Sequence, residues 1–251
     1  MISVFSTLRD ALLLWIQNFW YLVAFTLITD TPQLFLLEFQ TAGHDHTHSP
    51  TVMLVSLISL FSMVFFNAVS AAAILGLLKR SSSENPAWLG VWNSVKIYTG
   101  TLCRLSIQIF FIAILVLAPI GASLKALKAP HAAGVMVIAI YLIFIKYALA
   151  DPLVVVEHMS AWQALKRSWV MTKGHFWYVL GCYFVLWFMG WTVNAACGLN
   201  ASNNTGQTTG ISILLDLALY MFGSLWIIVP WCMYLRIKAA DQPPDVAIQT
   251  A

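Results

Sequence analysis

A short segment of the chain carries the side chains best suited to bind a metal ion. His44, Asp45, His46 and His48 lie together within residues 43–48. Imidazole nitrogens and carboxylate oxygens bind zinc, nickel and copper. Short histidine-rich loops also bind such metals adventitiously, because a closed site needs a backbone that fixes its ligands. We expect no physiological metal and no other cofactor. The alternative is that the loop does bind a metal ion, and these four residues are then its candidate ligands.

Charged side chains inside long apolar runs form a second group of candidates. Asp30 and Asp216 fall in the first and last of these runs, and Arg104 falls near the start of the third. A charge in bilayer hydrocarbon costs roughly 2.5–3.5 kcal/mol on insertion scales, so it needs a partner or a cavity. These three residues are the candidate intramembrane polar site that an ion-coupled transporter would use. Alternatively, the Thr-Asp-Thr-Pro sequence around Asp30 ends the first helix at the outer interface.

Three further charged residues lie close together in the chain. We expect Lys146 and Asp151 to form an ion pair near the break at Pro152. Glu157 is expected to bind exposed backbone N–H groups or a base such as Arg104. Spacing alone brings no second acid, base or nucleophile to these groups. We therefore predict that the chain is not an enzyme.

The composition indicates a membrane protein. Hydrophobic residues make up 60% of the 251 residues, charged residues only 9%, and the mean hydropathy is +0.81. Soluble domains carry about 25% charged residues. A spanning helix needs about 20 apolar residues, and six runs are long enough. These predicted spans are 18–39, 52–78, 101–123, 132–150, 176–197 and 211–235.

The basic residues predict how these spans are oriented. With both termini in the cytoplasm, all the Lys and Arg residues except Lys125 and Lys128 face the cytoplasm. Cytoplasmic loops of membrane proteins retain an excess of Lys and Arg. The net charge of +3 reflects this bias, and we expect no nucleic-acid partner.

A repeated helical pattern divides the chain into three units. Apolar residues, with Thr172 as the single polar exception, step by three and four positions over residues 5–19, 88–102 and 162–176, which is the spacing of one helical face. The tripeptide Phe-Trp-Tyr ends the first and third copies, 157 residues apart (19 to 176). We predict an all-α polytopic protein in which each unit is an interfacial amphipathic helix followed by two spans. The units are 1–80, 81–155 and 156–238, within one membrane domain, 1–238, with a disordered cytoplasmic tail at 239–251.

The interfacial helix of the third unit is a candidate contact surface. Trp162 and Trp169 lie on its apolar stripe, with Lys166, Arg167 and Lys173 beside them. Lysine stems can lie along such a stripe while the ammonium groups reach lipid phosphates. These five residues are the candidate membrane-surface or partner contact. The alternative is that the helix only braces the start of the following span.

Three motifs in the third unit resemble a known family. Residues 151–157 read Asp-Pro-Leu-Val-Val-Val-Glu, residues 164–169 read Ala-Leu-Lys-Arg-Ser-Trp, and residues 172–177 read Thr-Lys-Gly-His-Phe-Trp. This stretch resembles a family of bacterial six-span membrane proteins. The family includes the YciC-type inner-membrane proteins and the membrane domain attached to some glycerophosphodiester phosphodiesterases. Its pattern has glycine after the Val-Val-Val-Glu motif, where this chain has His158.

The resemblance implies a multi-pass protein of the bacterial inner membrane. No phosphodiesterase activity is carried over, because we expect no soluble segment that could hold the catalytic domain. We expect a non-enzymatic scaffold or partner subunit in membrane or envelope homeostasis, in contact with membrane lipids. Other membrane proteins are a second class of partner left open. The alternative function is a small transporter or permease with a cavity between the repeats, and a polar cavity near the bilayer midplane would favour it.

Overall fold

The structure is a computed structural model of the chain that describes residues 2–25, 50–81, 88–126, 132–202 and 223–241. These residues form helices and turns with no strand among them, which confirms the all-α expectation for this part of the chain. A helical segment at 19–25 follows the first helix after a turn at Asn18. The remaining helices, in chain order, are α1 (Val4–Gln17), α2 (Pro50–Ser81), α3 (Trp88–Ala126), α4 (Ala132–Tyr147), α5 (Ala150–Val156), α6 (Ala161–Gly174), α7 (Phe176–Ser202) and α8 (Leu225–Asp241).

Helices long and apolar enough to cross a membrane dominate the described residues. They are Phe61–Lys79 of α2, Val91–Ser123 of α3, Val135–Val156 across α4 and α5, and Phe176–Val193 of α7. Only 6% of the most apolar window of the α3 stretch is buried against the rest of the protein. An exposed apolar helix of this length needs lipid rather than water around it. The protein is therefore embedded in a membrane.

Several sequence predictions fall on residues that the structure does not describe. The first predicted span, 18–39, is described only as far as 25, and the last, 211–235, is described from 223 onward. Of the predicted tail at 239–251, residues 239–241 are described, and they are helical as the end of α8. Disorder was expected from 239 onward, so this part of the prediction is wrong.

The two Phe-Trp-Tyr motifs mark matching helix joints. Helix α1 ends before Asn18 and α6 ends before His175, with similar backbone angles of φ −103°, ψ 14° and φ −122°, ψ 28°. These two positions are also 157 residues apart (18 to 175). Just after each joint, Trp20 is 78% exposed and Trp177 is 80% exposed. The motif therefore occupies the same structural setting in both copies, with its tryptophan turned outward as in an interfacial aromatic belt.

The second copy differs because it has no joint. Helix α3 runs through the matching position, Thr101, as one helix of 39 residues. Its stripe residues Val91, Val95 and Tyr98 are buried, whereas Phe5 at the start of the first stripe is exposed. A surface helix separate from the span was expected here. The packing of this stripe against its neighbours is consistent with one helix that continues through this position.

Helices α2 and α3 form a tightly packed antiparallel hairpin. Near the end of α2, Gly76 lies so close to α3 that a Cβ atom placed on it would be 2.5 Å from Cβ of Ser94. The residues just before it, Ala71–Ala73, are buried small side chains. Small residues at helix contacts let backbones approach closely in membrane proteins, so this hairpin depends on a side chain being absent at residue 76.

Helix α6 holds the junction between α4 and α5 through the hydroxyl group of Ser168. Ser168 Oγ donates a hydrogen bond to the Lys146 carbonyl oxygen at 3.0 Å and accepts one from the Leu149 N–H at 3.2 Å. Thr172 Oγ1 donates to the Ser168 carbonyl oxygen at 2.6 Å. The end of α4 leaves backbone groups without helical partners, and Ser168 binds one carbonyl and one N–H at this turn. The turn fixes where α5 begins, and therefore where Asp151 lies.

Candidate functional site

A cavity of about 610 Å³ lies within the helix bundle. It is lined by residues of α2, α3, α4, α5, α7 and α8, so all three predicted units contribute to its wall. Ligand sites in proteins usually occupy about 300–1,000 Å³ and are mostly apolar with a few placed polar groups. The size of this cavity falls within that range.

The cavity reaches from the charged end of the bundle to about the middle of the membrane. Asn67, Trp187 and Trp226 line it, and each lies twelve residues along its helix from a charged or polar residue near the helix end, at Lys79, His175 and Lys238. Twelve helical residues span about 18 Å, and half of the bilayer hydrocarbon is about 15 Å thick. With the hydrocarbon boundary placed at these polar residues, the deep end of the cavity is near the bilayer midplane.

One carboxylate lines this cavity without a counter-charge. Asp151, in the first turn of α5, lines the wall and forms no hydrogen bond or ion pair with the residues that the structure describes. It lies close enough to Tyr183 for the two groups to interact electrostatically. Burial of a charge among apolar groups is energetically unfavourable unless the charge is paired or hydrogen-bonded. Among the described wall residues, Asp151 is therefore the one that a bound counter-ion would stabilise most.

Other polar groups accompany Asp151 in the wall. Asn67 of α2 and Ser106 of α3 line the cavity from one side, and Tyr141 of α4 lines it from another. The Tyr141 hydroxyl is buried and has no hydrogen-bond partner in the structure. A buried hydroxyl without a partner loses the hydrogen bonds it made to water, so Tyr141 presents a second unsatisfied group on the cavity wall.

Aromatic rings form much of the remaining wall. Tyr141 and Trp187 meet edge to face with ring centroids 6.3 Å apart, and Tyr183 packs on Trp226 at 5.6 Å. Trp187 is 45% exposed and Trp226 is 38% exposed. Both tryptophans therefore border the cavity and also contact the surroundings of the protein, which places an aromatic edge between the cavity and the lipid.

The expected ion pair between Lys146 and Asp151 is wrong. The Lys146 ammonium lies over two aromatic rings instead, 5.0 Å from the centroid of Trp169 and 5.2 Å from that of Phe176. Ring faces attract cations electrostatically, and these two rings come from α6 and α7 at the end of the bundle. Lys146 is therefore held at the end of the bundle, whereas the carboxylate of Asp151, five residues later in the chain, lines the cavity.

Glu157 binds a base, but not the expected one. Its Oε1 accepts a hydrogen bond from the Tyr234 hydroxyl at 2.7 Å and lies 3.4 Å from the Lys238 ammonium. The hydrogen bond from Lys238 to Tyr234 contributes most to a raised pKa for Lys238. Arg104 is exposed, does not line the cavity, and has no hydrogen bond or ion pair within the described part of the chain. The structure therefore separates Arg104 from both Glu157 and Asp151.

The remaining sequence candidates lie outside the described residues. Asp30 and Asp216, proposed with Arg104 as an intramembrane site, belong to this group, as do the candidate metal ligands His44, Asp45, His46 and His48. Among the residues that the structure does describe, no group of three or more His, Cys, Asp or Glu side chains could hold a metal ion.

Charged and polar side chains join several helices at the end of the bundle that we call the basic end, where α1, the α5–α6 turn and the last turns of α8 meet. Arg236 of α8 binds Asp10 of α1 through an ion pair and donates a hydrogen bond to Ser6 Oγ at 2.6 Å. The hydrogen bond from Arg236 lowers the pKa of Asp10 below its usual value. His175 Nε2 and Asp241 Oδ1 are 3.2 Å apart. The end of α8 thus binds two separate elements through these pairs.

His158 forms a second cluster at the basic end. Its Nδ1 is 2.8 Å from the Tyr98 hydroxyl, and its Nε2 is 3.1 Å from the Lys79 ammonium, which also donates to the Val155 carbonyl oxygen at 3.0 Å. His158 has a φ of 54°, a conformation that glycine adopts far more readily. His158 adopts this left-handed conformation while its side chain contacts Lys79 of α2 and Tyr98 of α3.

The exposed side of α6 combines tryptophan and lysine on a single face. Trp162, Lys166, Trp169 and Lys173 follow one another at steps of four, three and four residues, which places them on one side of the helix. The Lys166 ammonium lies 5.3 Å from the centroid of the Trp162 ring, and Trp162 and Trp169 are both about half exposed. Arg167 is exposed on a different side of α6. Four of the five predicted surface residues therefore share one face.

Comparisons of the chain with protein-family models, with curated proteins and with solved structures find no match.

Sequence reasoning placed Asp151 in the wrong partnership and did not find the cavity. The available signals were an acid inside an apolar run and aromatic residues spaced through facing spans, at Tyr141, Tyr183 and Trp187. Neither signal shows which helices are neighbours. The cavity depends on that arrangement, because its wall combines residues from six helices.

Proposed function

We propose that this protein is a small transporter or permease that takes its substrate in the cavity between its three units. The cavity itself is the observation that carries the proposal: a volume of about 610 Å³ that reaches about the bilayer midplane and contains unsatisfied polar groups. Substrate sites of secondary transporters commonly lie at that depth, where repeated units meet. A scaffold with a dry, fully packed core has no need of such a space.

The proposal includes six spans in three pseudo-repeated units, with both termini in the cytoplasm of a bacterial inner membrane. The matching joints at Asn18 and His175 support the repeat between the first and third units. Basic residues such as Lys79, Arg236 and Lys238 at one end of the bundle support placing that end in the cytoplasm. No covalent chemistry is proposed, because the described wall residues provide no nucleophile paired with a base.

Cysteine labelling can test whether water reaches the cavity. The native cysteines Cys103, Cys182, Cys197 and Cys232 are first replaced by alanine or serine. Ser106→Cys, on the cavity wall, should then react with a membrane-impermeant thiol reagent added to one side of oriented vesicles. Leu105→Cys is the matched control, because Leu105 is fully buried and does not line the cavity. If Ser106→Cys reacts from neither side, the transport proposal is wrong.

A scaffold or partner-subunit role is the second candidate, and the Trp–Lys face of α6 favours it. Trp162, Lys166, Trp169 and Lys173 expose both apolar and cationic groups, as expected for a surface that contacts lipid head groups. A photo-crosslinking residue at Lys166 in native membranes should capture phospholipid, whereas one at Arg167, exposed on a different side of α6, should capture less. Recovery of one protein species at Lys166 would favour a partner subunit.

A further inference from the structure

We propose that the cavity binds an organic ammonium ion with an apolar body, with the Asp151 carboxylate as counter-charge and the aromatic wall around the cation. This assignment rests on the proposed function and specifies its substrate class. It comes from three features of the wall: an unpaired carboxylate, rings positioned near it, and an apolar remainder.

The charge balance of the wall favours a cation. Asp151 lines the cavity, and no Lys, Arg or His side chain of the described residues does so. The nearest basic residue in sequence, Lys146, is held over the Trp169 and Phe176 rings outside the cavity lining. An anionic ligand would therefore meet a carboxylate and no described base. A cationic ligand would supply the partner that Asp151 lacks.

The rings favour an alkylated or aryl ammonium over a bare metal ion. Tyr141, Tyr183, Trp187 and Trp226 line the cavity, and the ring pairs Tyr141–Trp187 and Tyr183–Trp226 lie 6.3 and 5.6 Å apart between centroids. Aromatic faces attract cations, and aromatic cages are the common site for quaternary ammonium groups. Metal ions such as Na⁺ and Ca²⁺ need several oxygen ligands, preferably carboxylates and carbonyls, and Asp151 is the one carboxylate among the described wall residues.

The size and the apolar remainder of the wall indicate a ligand larger than a single head group. The cavity volume of about 610 Å³ suits a ligand with a ring or short chain attached to the ammonium. Phe110 and Phe144 line it and are partly exposed, as are the two tryptophans. An amphipathic cation could therefore place its apolar part against these side chains, toward the lipid.

The test compares a cation with its uncharged carbon isostere. Radiolabelled benzyltrimethylammonium is bound to the full-length protein in lipid nanodiscs, with empty nanodiscs subtracted, and neopentylbenzene serves as the isosteric competitor. Asp151→Asn keeps the size of the side chain and removes its charge, and it should weaken binding of the cation by about ten-fold or more. Asp241→Asn is the matched control, because Asp241 lies at the basic end beside His175, and it should change binding by less than about two-fold.

A second variant tests the proposal independently, in case Asp151→Asn does not fold. Trp187→Leu keeps the carboxylate and removes one ring at the partly exposed edge of the cavity. It should weaken cation binding by about three- to ten-fold while leaving competition by the isostere nearly unchanged. Size-exclusion profiles and melting temperatures of both variants show whether each remains folded.

Each outcome bears on a different part of the proposal. Loss of cation binding in Asp151→Asn, with the isostere a poor competitor for the wild type, supports the assignment. Equal affinity of the wild type and folded Asp151→Asn for the cation overturns it, and so does equal affinity for the cation and the isostere. Absence of any binding while Ser106→Cys remains reactive also overturns the ammonium assignment but leaves transport intact. If the cation does not bind and Ser106→Cys is also unreactive, both the ammonium assignment and the transport proposal are wrong.

Discussion

At the scale of single residues, the ionisable side chains of the described part fall into two environments. Asp10, Glu157, Arg236 and Lys238 form ion pairs and hydrogen bonds at the basic end. Asp151 lines an apolar cavity without such a pair. Pairs at a bundle end are ordinary structural contacts of modest strength, whereas an unpaired carboxylate at membrane depth is a functional candidate.

The Asp10–Arg236 pair makes a pH-dependent contribution to stability. The hydrogen bond from Arg236 lowers the pKa of Asp10 in the folded protein, so folding favours the ionised carboxylate. That stabilisation is complete above the unfolded-state pKa of about 3.9 and is lost as the pH falls through the lower folded-state pKa. We expect Asp10→Asn to reduce the free energy of unfolding at pH 7 by up to about 1 kcal/mol, since both side chains are partly exposed.

Melting temperatures in detergent between pH 3 and pH 7 check this prediction. The difference between wild type and Asp10→Asn should shrink toward zero at the acid end. Arg9→Gln is the control, because the Arg9 side chain is 73% exposed and its loss should have little effect at any pH. A constant difference across the whole range would contradict the proposed ionic origin.

His158 allows backbone strain to be separated from side-chain contacts. His158→Gly and His158→Ala both lose the contacts with Tyr98 and Lys79, but only alanine retains a Cβ at a φ of 54°. We expect His158→Ala to be less stable than His158→Gly by about 1 kcal/mol. Thermal unfolding of the two variants in one detergent measures the difference. Equal stabilities would mean that the turn relaxes away from the left-handed conformation.

At the scale of helices, sequence periodicity predicted the helical stripes, but it did not predict whether a striped segment is separate from the span that follows it. The stripes over residues 5–19 and 162–176 predicted separate surface helices, and α1 and α6 end at matching joints. The stripe over residues 88–102 has the same spacing but belongs to one long helix. Spacing alone cannot distinguish these cases, because the stripe in α3 is buried against its neighbours while Trp162 and Trp169 are exposed.

The α2–α3 hairpin should be sensitive to a single methyl group. Gly76→Ala places a Cβ 2.5 Å from the Ser94 Cβ, a distance that real Cβ atoms avoid, so the helices must separate. We expect a loss of about 1–3 kcal/mol, as for other overpacked sites. Gly100→Ala on α3 is the control, because a Cβ there meets no atom within 4 Å, and its higher helix propensity should leave stability unchanged or slightly increased.

Thermal unfolding in lipid nanodiscs measures the two glycine variants side by side. The order of melting temperatures should be Gly100→Ala equal to or above wild type, and Gly76→Ala clearly below both. A Gly76→Ala variant as stable as wild type would show that the hairpin is more loosely packed than the structure indicates.

At the scale of the whole molecule, composition alone indicated a membrane protein, and the structure agrees for the residues it describes. The cavity could not be predicted in this way, because its wall combines residues far apart in the chain, from Asn67 to Pro230. Two residues that the sequence singled out by their charge, Arg104 and Glu157, do not line the cavity. Arg104 is exposed away from the cavity, and the described part gives Glu157 partners on α8.

The exposed apolar surface predicts how the whole protein is extracted. With only 6% of the most apolar window of α3 buried within the protein, we expect alkaline carbonate to leave the chain in the membrane fraction and mild detergent to release it. A peripheral membrane protein expressed in the same cells is the control for carbonate. Release of this chain by carbonate, detected by immunoblotting of the supernatant, would contradict membrane embedding.

The unbroken α3 connects the basic end of the bundle mechanically to the cavity wall. Its 39 residues extend about 58 Å, far more than the 30 Å or so of bilayer hydrocarbon. At the basic end its Tyr98 contacts His158, 2.8 Å away, and two turns further along Ser106 faces the cavity as part of its wall. A rigid helix acts here as a lever: any shift of the α5–α6 turn that moves Tyr98 must also move Ser106, so an event at the aqueous surface can change the shape of the binding space.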